Sequence, residues 1–257
     1  MCYHSVVLPP ADGARVFRAR RRIRLSDADA AGRLRLDAAA RYIQDVATDD
    51  VADARLDDGD NVWIVRRTEI EVRAPFQGDQ FVELATWSGG FGPRWAARRT
   101  RIDGDRAGRL EAETTWVLVN GRTMRPALVP ETYRHVYGDG AGRRVSVKLQ
   151  LAPDAPAGAS RAPWPVRASD VDILGHVNNA VYWQAVEEAL GAETGGFAGR
   201  AVLEHRRPVD RGDQVELCAE LTGRELRVWL LTDGAAAAVA ELVSDPGASL
   251  GIARPVV

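Results

Sequence analysis

The chain has 257 residues, 46% of them hydrophobic and 27% charged, with a formal net charge of −2. These values describe an ordinary globular protein of one large or two medium domains; they exclude a disordered chain and provide no global attraction to nucleic acid. Lys148 is the sole lysine, so the basic residues are almost all arginine, which together with the abundant alanine reflects coding bias more than a binding function.

Taken in chain order, "MCYHSVVLPP" lacks the apolar core of a signal peptide, and no later run approaches the ~20 apolar residues of a membrane span. A cytoplasmic protein with no membrane partner is expected. Cys2 and Cys218 have neither disulfide-framework nor metal-ligand spacing, and Cys218, inside the strand-like "VELCAEL", reads as a buried free thiol. The run "RARRRIR" (Arg18–Arg24) reads as solvated surface or strand edge. After it, "RLSDADAAG" leads into "LDAAARYIQDVATDDVADA", whose apolar Ala39, Tyr42, Ile43, Val46 and Ala47 predict a helix over Leu36–Ala54. Four strands should follow, in "VWIVRRTEIEVRAP", "QFVELATWSGG", "RWAARRTRI" and "RLEAETTWVLVN", with Asp-Gly turn chemistry in "TRIDGDRAGRL".

A stretch rich in glycine, proline and alanine comes next and encloses one alternating run, Val145, Val147, Leu149 and Leu151, a candidate extra strand. The chain then repeats itself. "RASDVDILG" from Arg167 restates "RLSDADAAG" from Arg24 at an offset of 143 residues (167 − 24), and "EHRRPVDRGDQVEL" echoes "EVRAPFQGDQFVEL". Where the second copy has His176, the first has Arg33. A second helix is predicted over Asn179–Thr194 on the stripe Val181, Tyr182, Ala185, Val186 and Ala189, with Asn178 or Asn179 as N-cap. Strands follow in "AVLEHRRPV", "DQVELCAELTG", "LRVWLLTD" and "AAAAVAELV". The expected organisation is an N-terminal unit over 16–137, a linker over 138–163, a C-terminal unit over 164–245 and a tail over 246–257, the class being α+β. "GASLG" in the tail fits Gly-x-Ser-x-Gly, but no acid and histidine follow it, so Ser249 reads as an ordinary residue.

Two helix-on-sheet repeats, one carrying Asp-x-x-Gly-His-Val-Asn-Asn-x-x-Tyr (Asp172 to Tyr182), resemble the hotdog thioesterases, and most closely the double-hotdog acyl-ACP thioesterase family. "VWIVRRTEIEVRAPFQGDQFVELATW" and "TTWVLVNGRTMRPALVPE" are similar to ordered segments of that family, so the likeness covers roughly Ile23 to Leu217. It implies tandem hotdogs joined in one continuous sheet, cofactor-free and metal-free hydrolysis of a fatty acyl thioester on acyl carrier protein, and compatibility with a homodimer. Asp172, His176 and the helix carboxylate Glu188 match the family's site. Two positions depart from the plant-type pattern: Leu174 replaces an asparagine, and Pro208 and Val209 stand where a downstream carboxylate would be.

The chemistry asks for a base or nucleophile, an oxyanion site and an acyl pocket. A leaving thiolate with a thiol pKa around 8.5 needs little acid assistance, so a single carboxylate suffices to activate water or attack the carbonyl, and Asp172 is the candidate. Backbone N–H groups of Gly175 through Val177, where the turn enters the second helix, would hold the oxyanion. His176 would orient Asp172 or the water, and Asn178 or Asn179 would pin the turn. Taken alone, an aspartate before a helix more often just caps a turn, the role expected of Asp27 and Asp29. Glu187 is expected to be solvated, and some first-half tryptophans to line an acyl pocket. One site per chain is expected at the junction of the halves, with the degenerate copy supplying binding surface. The rivals are an acyl-CoA thioesterase and, motivated by Leu174 and Pro208, a non-hydrolytic acyl-binding protein.

Overall fold

A computed structural model describes residues 9–138, 147–191, 197–247 and 250. The first half runs through strand β1 (Val16–Arg22), helix α1 (Leu36–Asp53), strands β2 (Asn61–Ala74), β3 (Phe81–Phe91), β4 (Trp95–Gly104) and β5 (Arg109–Asn120), and a short helix α2 (Glu131–Tyr137). The second half repeats the plan with β6 (Ser160–Trp164), α3 (Asn179–Leu190), β7 (Gly199–His205), β8 (Val215–Thr222), β9 (Glu225–Thr232) and β10 (Ala235–Ser244). All ten strands join one antiparallel sheet in the order β1-β3-β4-β5-β2-β7-β10-β9-β8-β6. The second half of that order reproduces the first in reverse, so the halves are related by a pseudo-two-fold axis between β2 and β7.

At this junction Thr68 to Val72 of β2 lie opposite Leu203 to Gly199 of β7. Alternation along the strands sends Ile70, Val72, Ala201 and Leu203 into the main core, while Glu69 on the other face bonds Arg200 of the opposite half at 2.6 Å. Both long helices cover the core face and pack against each other. Their apolar stripes are buried as the periodicity predicts, from Ala39 to Ala47 in α1 and from Val181 to Ala189 in α3. No helix among the described residues is long and apolar enough to cross a membrane.

The arginine-rich run falls in β1, an edge strand that leaves Arg18, Arg20 and Arg22 exposed, as its reading as a solvated strand edge expected. Other elements depart from the expectation. Helix α3 stops at Leu190 because Gly191 takes a positive φ of 73°, which ends helical geometry; positions 192–194 of the expected helix lie outside the described residues. The segment "AVLEHRRPV" is strand only as far as His205. The alternating run around Leu149 forms no strand over 147–151, and Val145 lies outside the described residues. The buried Glu204 carboxylate takes the Gln150 and Leu151 N–H groups at 2.7 and 3.0 Å, and Trp229 Nε1 donates to Ala152 O at 3.0 Å, so side chains satisfy this backbone in place of a neighbouring strand. The pairing strand is instead β6, which begins at Ser160 inside the stretch expected as linker and pairs with β8. Cys218 is a buried free thiol under the 151–155 segment, and burial pushes its pKa up to about 11. The "GASLG" pattern falls largely outside the described residues.

Candidate active site

The Arg-x-Ser-Asp-x-Asp-x-x-Gly repeat builds the same local structure twice. In each copy the first aspartate ends a 3-10 turn and accepts the N–H of the arginine three residues before it, Arg24 to Asp27 Oδ2 at 2.9 Å and Arg167 to Asp170 Oδ2 at 2.7 Å. The second aspartate opens a tight turn: Gly175 N–H donates to Asp172 O at 3.0 Å, as Gly32 N–H does to Asp29 O at 2.9 Å. Both glycines have positive φ, 84° and 78°, which is why glycine stands there. An Asx bond completes each turn, Leu174 N–H to Asp172 Oδ1 and Ala31 N–H to Asp29 Oδ1, both at 2.9 Å.

Beyond this frame the copies diverge. Among the described residues Asp172 Oδ2 accepts only Asn178 Nδ2, at 3.1 Å. A carboxylate has about four acceptor positions, so roughly two remain open on Asp172 for water or substrate. Asp29 accepts the Ala31 and Arg33 N–H groups together with Arg33 Nε and Nη2, the last two at 2.9 Å, and has none left. Burial alone would raise the pKa of Asp29, but the Arg33 bonds and charge hold it below the ordinary carboxylate value.

Asn178 is the N-cap of α3, accepting Ala180 N–H at 2.9 Å while its amide holds Asp172. Asn179 is the first residue of the helix. His176 does not orient Asp172: its Nδ1 lies 2.5 Å from Asp210 Oδ1, on the strand-like exit of β7. With Nδ1 bonded to a carboxylate, Nδ1 carries the proton and Nε2 is left as the acceptor. Sequence reasoning missed Asp210. It stands two residues past Pro208, where the family's carboxylate is absent, and only the crossing of the two segments brings it to His176.

The expected oxyanion donors also divide. Gly175 N–H is committed to Asp172 O and Val177 N–H to Val209 O at 2.9 Å, and the Val177 side chain is buried in the core. Among the described residues the His176 N–H has no acceptor, and the Asn179 N–H is a first-turn donor without an intrahelical acceptor. The two helix glutamates exchange their expected roles. Glu187 is the enclosed one, accepting Leu36 N–H at the start of α1 at 2.5 Å. Burial pushes it up to about 7, the Leu36 bond opposing and Asp37 adding to the push. Glu188 is exposed and lies nine residues beyond Asn179, ~14 Å along the helix, so it does not stand with Asp172 and His176. His205 is buried against the edge of Tyr182 at 4.7 Å, and burial pulls its pKa down to about 3, so it stays neutral.

Two cavities flank the helices. One of about 170 Å³ lies between α1 and the first-half strands, lined by Ala47, Thr48, Trp63, Phe91, Trp116 and Tyr133. Of the first-half tryptophans, Trp63 and Trp116 thus line a cavity while Trp87 is buried. The other, about 910 Å³, lies at the degenerate copy, against Asp29, Arg33 and the end of α3. No group of three or more His, Cys, Asp or Glu side chains among the described residues is placed to hold a metal ion.

The architecture and this turn define a double-hotdog protein. Its fold matches the 12:0-ACP thioesterase of Umbellularia californica with a TM-score of 0.77 at 20% identity, over 90% of this chain and 97% of that one. It likewise matches an acyl-ACP thioesterase of Bacteroides thetaiotaomicron with a TM-score of 0.76 at 16% identity, over 90% and 98%. Residues 14–137 match the acyl-ACP thioesterase N-terminal domain and residues 154–237 the acyl-ACP thioesterase C-terminal domain, and the chain belongs to this family. An uncharacterized protein of Mycobacterium tuberculosis is 33% identical over 76% of this chain and 79% of its own length. The chloroplastic dodecanoyl-[acyl-carrier-protein] hydrolase of Umbellularia californica is 29% identical over 68% of this chain and 48% of its own.

Proposed function

We propose that the protein hydrolyses fatty acyl thioesters on acyl carrier protein, releasing a free fatty acid and the carrier thiol. The observation that carries this reading is the open Asp172 carboxylate, held by Leu174 N–H and Asn178 at the start of α3 beside the His176–Asp210 pair. Asp172, as base, draws a proton from water attacking the thioester carbon, or as nucleophile attacks that carbon itself. His176 Nε2, its ring fixed by Asp210, accepts a hydrogen bond from the water. The His176 and Asn179 N–H groups at the helix start stabilise the developing oxyanion, and the thiolate then leaves and takes up a proton.

Glu187 joins the end of α3 to the start of α1, so the pseudo-two-fold relation brings the second half of α1 towards the start of α3. The aromatic cavity along α1 is therefore the acyl pocket of this reading. Loss of a carboxylate at Pro208 motivated a merely acyl-binding protein; Asp210 supplies a carboxylate to His176 and weighs against that alternative. The reading takes the carrier protein over CoA from the family alone, and it includes a cytoplasmic setting.

Thiol release from a panel of acyl-ACPs and the matching acyl-CoAs tests it. Release from acyl-ACP that collapses in Asp172→Ala supports the reading, and release from acyl-CoA alone replaces the carrier. No release from any thioester, with acyl ligands still bound, makes the protein a binder.

A further inference from the structure

The larger of the two cavities that flank the helices belongs to the copy that lost its histidine. It measures about 910 Å³, within the range of sites that bury a drug-sized or lipid-sized ligand. Its helix wall corresponds to that of the aromatic cavity: Ala47 and Thr48 of α1 line one, and Leu190 and Gly191 of α3, each 143 residues later (190 − 47, 191 − 48), line the other. We infer that this cavity is a second, non-hydrolytic site that takes an acyl chain with an anionic head group. The inference does not require the Asp172 corner to be a hydrolase.

Three observations carry it. The interior is apolar and drawn from both halves, with Val72, Phe76 and Leu110 facing Phe197, Leu217 and Ala219. Four arginines line the cavity: among the described residues Arg33, Arg35 and Arg161 are paired with Asp29, Asp37 and Glu216, while Arg167 is not, and Glu187 and Glu188 line it as well. Asp29 is neutralised by Arg33, and Arg167 is exposed and forms no ion pair with the described residues, so an anionic head finds an available guanidinium there. Finally, the carboxylate that would act as base is closed. Asp29 has all its acceptor positions taken, and the neighbouring Glu187 carboxyl is turned to the Leu36 N–H. The site keeps an acyl-sized space in which the turn aspartate is closed and the one open carboxylate, Glu188, is exposed at the rim, so no base is fixed beside a bound thioester.

Photolabelling of the full chain with a diazirine-bearing dodecanoate, followed by peptide mapping, tests the site independently of thiol release. The expected labels fall in β6 and β8, around Trp164 and Leu217, and persist in Asp172→Ala. Arg167→Glu, a surface change, and Ala219→Phe, which fills the cavity, should each cut this labelling about tenfold, equivalent to about 1.4 kcal/mol of binding. Melting curves identify which variants are folded, and Arg167→Glu keeps the test valid if Ala219→Phe is not. Competition by dodecanoate or by dodecanoyl-CoA supports the site and tells a free carboxylate from a thioester; competition by neither overturns it. Labels confined to peptides around Trp63 and Phe91, or undiminished in the folded variants, also overturn it. Failure of the hydrolysis reading would leave the β6 and β8 labels in place.

Discussion

The turn from Asp29 to Arg33 and the turn from Asp172 to His176 close with the same backbone bonds and the same positive-φ glycine, yet only one leaves its carboxylate usable. The difference lies at two positions. Arg33 wraps back on Asp29, whereas His176 turns away to Asp210; Arg35 pairs with Asp37, whereas Asn178 caps its helix and holds Asp172 with one amide. A duplicated backbone thus keeps its geometry cheaply, because turn and cap residues set it locally. Reactivity depends on how many acceptor positions the side chains leave open.

The largest expected effect separates the two aspartates. Asp172→Ala should lower kcat by about 10²–10⁴ with the fold retained, whereas Asp29→Ala should spare turnover and lower the melting temperature. Parallel thioester kinetics and thermal melts check this, and the reverse pattern would break the comparison.

Glu187 sharpens it through pH. Its folded pKa, about 7, lies above the ordinary glutamate value of 4.5, so the folded state holds this proton more tightly. Its contribution is fully present below pH 4.5, is lost as pH rises to 7, and then stays lost. Glu187→Gln should therefore stabilise the protein at pH 8 by at most about 3 kcal/mol and make no difference near pH 4, as read from urea unfolding at the two pH values.

Asp210→Asn should cost about tenfold to a hundredfold in kcat with little change in KM, because the amide no longer fixes the His176 ring as the carboxylate does. A purely structural role would lower stability and leave kcat of the folded enzyme unchanged. Asn178→Ala should show the smallest effect, about 1 kcal/mol of stability from the lost cap with a modest fall in kcat, compared by denaturation and initial rates.

Most of the architecture was legible in the residues. The repeat predicted two helix-on-sheet units, the family resemblance implied that they share one sheet, both helix stripes are buried as their spacing requires, and β5 coincides with "RLEAETTWVLVN". The motif identified Asp172, Gly175, His176 and Asn178 as a local cluster, since all lie within one turn and its cap. Misreadings arose where satisfaction came from afar. The run around Leu149 alternates like a strand, yet its N–H groups end on Glu204. Glu187 sits at the polar edge of its helix by periodicity, yet the start of α1 closes over it.

The sequence by itself determined the elements, the duplication and the turn chemistry, because these rest on hydrogen bonds and side-chain spacing over a few residues. Only the tertiary structure decided that His176 answers to Asp210, that Glu188 belongs to the other end of α3, and that the larger cavity lies with the degenerate copy. Those facts depend on which distant segments cross and how they exclude water, and short-range periodicity carries no record of either.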